Sequence, residues 1–189
     1  TAAPGVTREQ ISIGGYREAN SSNESGRFGE NFVHWKNVSI YSDNAPGYGS
    51  ALYFEATHKI WFDGLEIYDA RGQWNGSQPY NGNSGYTVYA TDSYFHDLAN
   101  AGGQFLRNVL IRNIGSDIYR PGNGLVGINV TVDGIDRGAT EAHPDFLQFY
   151  NPGTIVENVI IYNNKGLNLG AQGLFGQNCR DVAFVNLLM

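Results

Sequence analysis

Cysteine is nearly absent: Cys179 stands alone among 189 residues. An internal disulfide is excluded, and the lone thiol reads as a small buried apolar side chain. Charge is scarce as well. Asp, Glu, Lys and Arg make up 16% of the chain, against roughly 25% in average soluble proteins. The formal net charge is −6. A phosphate backbone needs a basic face, so nucleic acid is excluded as the main partner. An acidic polysaccharide finds no global attraction either, and a local basic patch or a bound cation would have to hold it. No apolar run approaches about 18 residues, which excludes a helical membrane span. Helical periodicity is missing too, with almost no stretch sustaining it over about ten residues. No leader is visible ahead of Thr1-Ala2-Ala3-Pro4, so location has to be argued from fold and family.

What is present is turn-rich and β-rich. Glycine contributes 25 residues, and tyrosine, phenylalanine and tryptophan contribute 12, 10 and 3. A short phrase keeps returning: Asn or Asp, an apolar residue, a variable residue, an apolar residue. It appears as Asn37-Val38-Ser39-Ile40, Asp63-Gly64-Leu65-Glu66-Ile67 (stretched by one), Asn108-Val109-Leu110-Ile111, Asn129-Val130-Thr131-Val132, Asn158-Val159-Ile160-Ile161 and Asp181-Val182-Ala183-Phe184. Most copies lie about 20 to 30 residues apart, the period of stacked-repeat architectures. One copy is too short to form a core, but stacked copies share one.

Strand-like runs rich in Val, Ile, Phe and Tyr alternate with Gly/Asn/Asp clusters. Phe32 to Tyr41 and Lys59 to Tyr68 each read as a strand segment, and Arg71 to Gly85 as a loop. Asn-Gly pairs fall in loops rather than between matched strands, which disfavours a hairpin sandwich. The expectation is an all-β solenoid of short parallel strands, with residues 1–31 as a poorly patterned N-terminal segment and 32–189 as the coil. Successive turns of such a coil lie about 4.8 Å apart, so the Asn or Asp heading each phrase would stack on its neighbours as a side-chain ladder. Asn37, Asn108, Asn129 and Asn158 are assigned that structural role. The last residues, Asp181 to Met189, form an apolar strand with no polar cap. This edge reads as a piece of a longer coil, or as a surface for self-association or a further domain.

Three stretches carry a resemblance: Val130-Thr131-Val132-Asp133-Gly134-Ile135-Asp136, then Ala142-His143-Pro144-Asp145-Phe146-Leu147-Gln148-Phe149-Tyr150, then Ala171-Gln172-Gly173-Leu174-Phe175. A His-Pro-Asp-x-x-Gln segment followed about one coil later by Gln-Gly-Leu-Phe is similar to secreted bacterial β-helix repeat proteins. The chain from Phe32 to Met189 resembles the right-handed parallel β-helix, or pectate-lyase-like, superfamily. The resemblance implies a right-handed coil, a secreted or cell-surface location and polysaccharide as partner. It implies an enzyme of the lyase type before the hydrolase type. The alternative it leaves open is a non-catalytic structural or adhesive β-helix, of the surface, tailspike or filament kind.

The candidate site is the His-Pro-Asp corner. His143, Asp145 and Gln148 surround one short strand, and a bend at Pro144 would let Asp145 and Gln148 both face out. Gln172 would stack beside Asp145, with Asn123 one coil earlier completing a polar column. A lyase removes a proton next to a uronate carboxylate that must itself be neutralised. His143 is the candidate base, Arg137 or Lys165 the neutralising cation, and a calcium ion on Asp133, Asp136 or Asp145 a possible assistant. A hydrolase would instead need paired carboxylates, for which Asp117, Asp136, Glu141 and Asp145 are available. Trp74, Tyr80, Tyr119 and Tyr150 sit in or beside loops, where flat rings could stack on sugars or simply cover the coil. His34, His58 and His96 occur singly and read as structural.

Overall fold

A computed structural model describes residues 11–13, 32–42, 50–54, 59–69, 78–82, 87–98, 104–115, 117–118, 124–135, 144–149 and 155–189. Eighteen strands run through them, and no helix occurs among the described residues. In chain order they begin with β1 (Ile11–Ile13), β2 (Phe32–Lys36), β3 (Ser39–Ser42), β4 (Ser50–Phe54), β5 (Lys59–Asp63) and β6 (Glu66–Asp69). Then come β7 (Gln78–Gly82), β8 (Thr87–Thr91), β9 (Tyr94–Leu98), β10 (Phe105–Arg107), β11 (Leu110–Ile114) and β12 (Val126–Ile128). The last are β13 (Thr131–Ile135), β14 (Leu147–Phe149), β15 (Val156–Tyr162), β16 (Lys165–Leu169), β17 (Leu174–Gly176) and β18 (Cys179–Val185).

Every pairing among these strands is parallel. One seven-stranded sheet has the order β18-β15-β12-β10-β8-β5-β2, called here the first face. A six-stranded sheet, the second face, has the order β16-β13-β11-β9-β6-β3. Two smaller sheets are β1-β4-β7 and β14-β17. Neighbours within a sheet are never neighbours in sequence, because the chain visits the other faces before returning. Ile11–Ile13, set apart from the repeating region by the sequence pattern, pairs with β4 in register Ile11↔Leu52.

The corner between the first and second faces explains the recurring phrase. Asn37, Gly64, Asp92, Asn108, Asn129, Asn163 and Asn186 all have positive φ, from 51° to 70°. Asn and Asp tolerate this left-handed conformation better than other side chains, and glycine adopts it freely. One such residue turns the chain from one sheet into the next. The residue after it points inward: Leu65, Val109 and Val130 are buried there. Ser93 and Asn164 take the same inward position and are buried polar groups with partners. Ser93 Oγ accepts from Leu65 N (3.1 Å) and donates to Thr91 O (2.7 Å). Asn164 Oδ1 accepts from Val130 N at 2.8 Å. The next residue faces out and the one after it faces in, where Ile67, Phe95, Ile111 and Val132 stack as a core column.

The corner side chains form a ladder. Asn108 Nδ2 donates to Asp92 Oδ1 (2.9 Å), Asn129 to Asn108 (3.0 Å), Asn163 to Asn129 (2.7 Å) and Asn186 to Asn163 (2.6 Å). At Gly64 the column leaves room instead: a Cβ there would meet Asn37 Oδ1 at 2.5 Å.

Some heads of the phrase are displaced. Asp63 closes β5, and Gly64 takes the corner. Asn158 and Asp181 lie inside β15 and β18, side by side between the Glu157↔Arg180 and Val159↔Val182 pairs. Their φ values are also positive, 60° and 53°. After Asn158 the same left-handed kink is followed by buried Val159 and Ile161, which reproduces the sequence phrase away from the corner, whereas after Asp181 Val182 is half-buried and Phe184 exposed. The segments read as single strands, Phe32 to Tyr41 and Lys59 to Tyr68, are each two strands broken at this corner. The Arg71 to Gly85 loop contains β7, and Cys179, read as buried, is exposed at the start of β18, the last strand of its sheet.

Candidate functional site

Pro144 and Asp145 lie where residues 117–118, β14 and β17 run beside one another. Ile118 N donates to Asp145 O (3.1 Å), and Leu147 N to Gly173 O (3.2 Å). Gln172 N donates to Pro144 O (2.9 Å), so Gln172 is the neighbour of the Asp145 segment, as the spacing suggests. Gln172 itself is exposed. Asp145 is not: it is 1% exposed, beside Asp117 at 3%. Asp117 Oδ1 accepts from Asp145 N (2.9 Å), and Gln148 Nε2 donates to Asp145 Oδ2 (3.3 Å). Asp145 is thus turned inward, where the expectation has it facing solvent. The physical reason is that Asp117 caps the Asp145 backbone from within and Gln148 covers one carboxylate oxygen. His143, Arg137, Asp136, Asn123, Tyr150, Trp74 and Tyr119 lie outside the described residues.

Lys165 and Asp133 belong elsewhere, on the outer surface of the second face. Asp133 Oδ2 lies 3.4 Å from Arg112 Nε, and its Oδ1 accepts from Asn168 Nδ2 at 2.7 Å. Asp133 lies in β13 of the second face, whereas Asp145 lies outside the strands, two residues before β14. Among the described residues no three His, Cys, Asp or Glu side chains are arranged to hold a metal ion. The donor set offered for calcium is not assembled by the residues described.

Two outward arrays emerge that the sequence reading did not single out. The first face carries a row in register: His34, Trp61, Tyr89, Phe105, Val126, Ile160 and Ala183. Its rings lie against each other, with centroids 5.9 Å apart for His34–Trp61, 6.0 Å for Trp61–Tyr89 and 6.1 Å for Tyr89–Phe105. Trp61 and Tyr89 are stacked, 26° from parallel. The indole is anchored by Trp61 Nε1 donating to Thr91 Oγ1 at 3.1 Å. Each ring is partly or fully exposed rather than in the core.

On the second face, His96 is the centre of a polar cluster. Its ring lies against Tyr94 (4.2 Å, 21°) and Tyr68 (4.8 Å, 7°). Nδ1 donates to Asp97 Oδ2 at 2.6 Å, and Asp97 Oδ1 accepts from Asn113 Nδ2 at 3.0 Å. Nε2 lies 3.5 Å from Glu66 Oε1, and Glu66 Oε2 accepts from Ser39 Oγ at 2.8 Å. Arg112 is the register partner of His96 on the next strand, followed by Asp133.

Both arrays are readable from the corner residues. The first row always falls three positions before the corner, and the second face presents the second and fourth positions after it. Counting from the wrong head at Asp63 or Asn158 hides that alignment, and His96 then looks solitary. A comparison with known proteins matches this chain to no family model, no curated protein and no solved structure. Among the described residues no helix is long and apolar enough to cross a membrane.

Proposed function

We propose that the chain is a right-handed parallel β-helix of the secreted or cell-surface kind that binds polysaccharide, with lyase-type chemistry as its activity. The reading of a coil is supported by uniformly parallel pairing between strands distant in sequence, by a left-handed corner that repeats, and by the amide ladder along it. The binding function is carried by one observation, the outward row of rings on the first face. The rings follow one another at 5.9 to 6.1 Å, which is comparable to the length of a sugar unit. A flat aromatic face suits the apolar face of a sugar, and rings already packed against neighbours lose little freedom on binding.

Trp61 sits within this row and supplies its own optical probe. Titration with soluble alginate, pectate, ulvan and glycosaminoglycans should shift its fluorescence with at least one polymer. Trp61→Ala should weaken that binding by about tenfold, the equivalent of about 1.4 kcal/mol. Binding unaffected by Trp61→Ala, together with Tyr89→Ala, would remove the row from the function.

A non-catalytic coil is the second reading, and one observation favours it. Asp145 is buried and its backbone N–H is capped by Asp117, which is how a purely structural corner is built. Failure of every polymer to bind would select that reading.

A further inference from the structure

The cluster around His96 is a different site from the row of rings and from the His-Pro-Asp corner. Most of its polar atoms are held. Asp97 uses both oxygens, on His96 Nδ1 and Asn113 Nδ2, and Glu66 uses Oε2 on Ser39. One link is loose. His96 Nε2 is buried and has no hydrogen-bond partner among the described residues. Glu66 Oε1 stands 3.5 Å away, near enough for attraction but too far for a well-formed bond. A buried polar atom left in this state is uncommon and calls for an explanation, of which a chemical role is one.

Exposure divides the roles. The His96 side chain is 15% exposed, whereas Glu66 is 42% exposed and Arg112 is 53% exposed. His96 is thus the more buried member, and Glu66 and Arg112 are the ones open to solvent. Arg112 adjoins His96 in register, so a cation stands about one strand spacing from the relay. Lys165 lies further along the same outer surface, in register with Thr131. Glu66 on β6 and Arg112 on β11 flank β9 about two strand spacings, roughly 10 Å, apart, and a base and a cation facing one ligand from either side are the pair that proton removal next to a sugar carboxylate requires.

We propose that Glu66, supported by His96 and Asp97, is the proton acceptor of a β-elimination site for uronate-containing polysaccharide, with Arg112 holding the uronate carboxylate. This rests on the polysaccharide reading above and deepens it. The Glu66 carboxylate takes the proton from the carbon that bears the uronate carboxylate. The electron pair left behind forms a carbon–carbon double bond to the neighbouring carbon as the glycosidic carbon–oxygen bond there breaks. The departing oxygen takes a proton from water, and Glu66 passes its proton to His96 Nε2 and on to solvent. No oxidant or metal enters the balance. Glu66 is the catalytic residue, and His96 and Asp97 are positioning residues that orient it and receive its proton. The carboxylates of Asp97 and Asp133 oppose an anionic ligand, so Arg112 and Lys165 have to supply a local attraction that the net charge of −6 does not.

The test follows new ultraviolet absorbance from unsaturated ends on the same polymer panel, with binding measured in parallel. Expected results are wild-type activity, a fall in kcat of at least about a hundredfold for Glu66→Gln, and polymer binding in that variant that is retained or tighter, because a negative charge facing an anionic ligand is removed. His96→Gln should lower kcat with KM unmoved. Arg112→Ala should raise KM about tenfold, as loss of one charged contact would, and Arg112→Lys should recover part of the loss. Thermal unfolding checks that each variant folds. The surface carboxamide of Glu66→Gln keeps the proposal testable even if His96→Gln does not fold. An active wild type with Glu66→Gln within twofold of it overturns the site and leaves the polysaccharide reading standing. Polymer binding without absorbance from any uronate polymer overturns the chemistry alone. Neither binding nor absorbance overturns both.

Discussion

At the scale of single residues, the corner asparagines combine two jobs that a substitution can separate. Asn129 adopts φ 53°, donates to Asn108 and accepts from Asn163. Asn129→Gly keeps the left-handed backbone at no steric cost but removes both ladder bonds. Asn129→Ala removes the bonds and adds the strain of an L side chain at positive φ, about 1–2 kcal/mol. Since each bond contributes about 1 kcal/mol net, Asn129→Gly should lose about 1–2 kcal/mol and Asn129→Ala about 2–4 kcal/mol. Chemical denaturation of the two variants checks this. Equal losses would mean that the left-handed corner carries no strain of its own. Gly64 shows the reverse constraint. Asn37 Oδ1 occupies the space of its Cβ, so Gly64→Asn requires the Asn37 side chain to move aside.

At the scale of elements, the sequence displays the strands whose inward residues are large and hides those whose inward residues are not. Val130-Thr131-Val132 announces β13, since Val130 and Val132 are both buried. Lys165–Leu169 is a strand that the alternation does not announce, because Gly166 takes the inward position and Leu169 packs into the space its side chain would fill. Asp92 and Asn163 were equally hidden as corner residues, since polar Ser93 and Asn164 follow them where the phrase demands an apolar residue. The site was legible in part. The stacking of Gln172 on the Asp145 segment follows from one coil's spacing, but the burial of Asp145 depends on Asp117, 28 residues earlier, and no local pattern reports that contact. Asp117→Ala should destabilise by about 2 kcal/mol, the cost of leaving the buried Asp145 N–H without its acceptor. Asp117→Asn keeps an acceptor oxygen and should lose less. Comparable denaturation midpoints for Asp117→Ala and the wild type would show that this cap contributes nothing.

At the scale of the whole molecule, parallel pairing between successive strands means that each layer touches chiefly the layers next to it. Mutational coupling should then decay with the number of strand steps rather than with distance along the chain. Ile111 and Val132 are register partners, and both are fully buried. Ile67 is fully buried in the same column but is separated from Val132 by β9 and β11. That separation is three strand spacings, roughly 14 Å. Ile111→Ala alone should cost about 2–5 kcal/mol through the cavity it leaves. Combined with Val132→Ala, the loss should depart from the sum by about 0.5 kcal/mol or more, because the two cavities merge and relax together. Ile67→Ala combined with Val132→Ala should add to within about 0.5 kcal/mol, since sites beyond about 10 Å with no shared partner act independently. Denaturation of the single and double variants gives both coupling energies. Strong coupling of the distant pair with none between the adjacent pair would contradict a layered core, and with it the proposed coil.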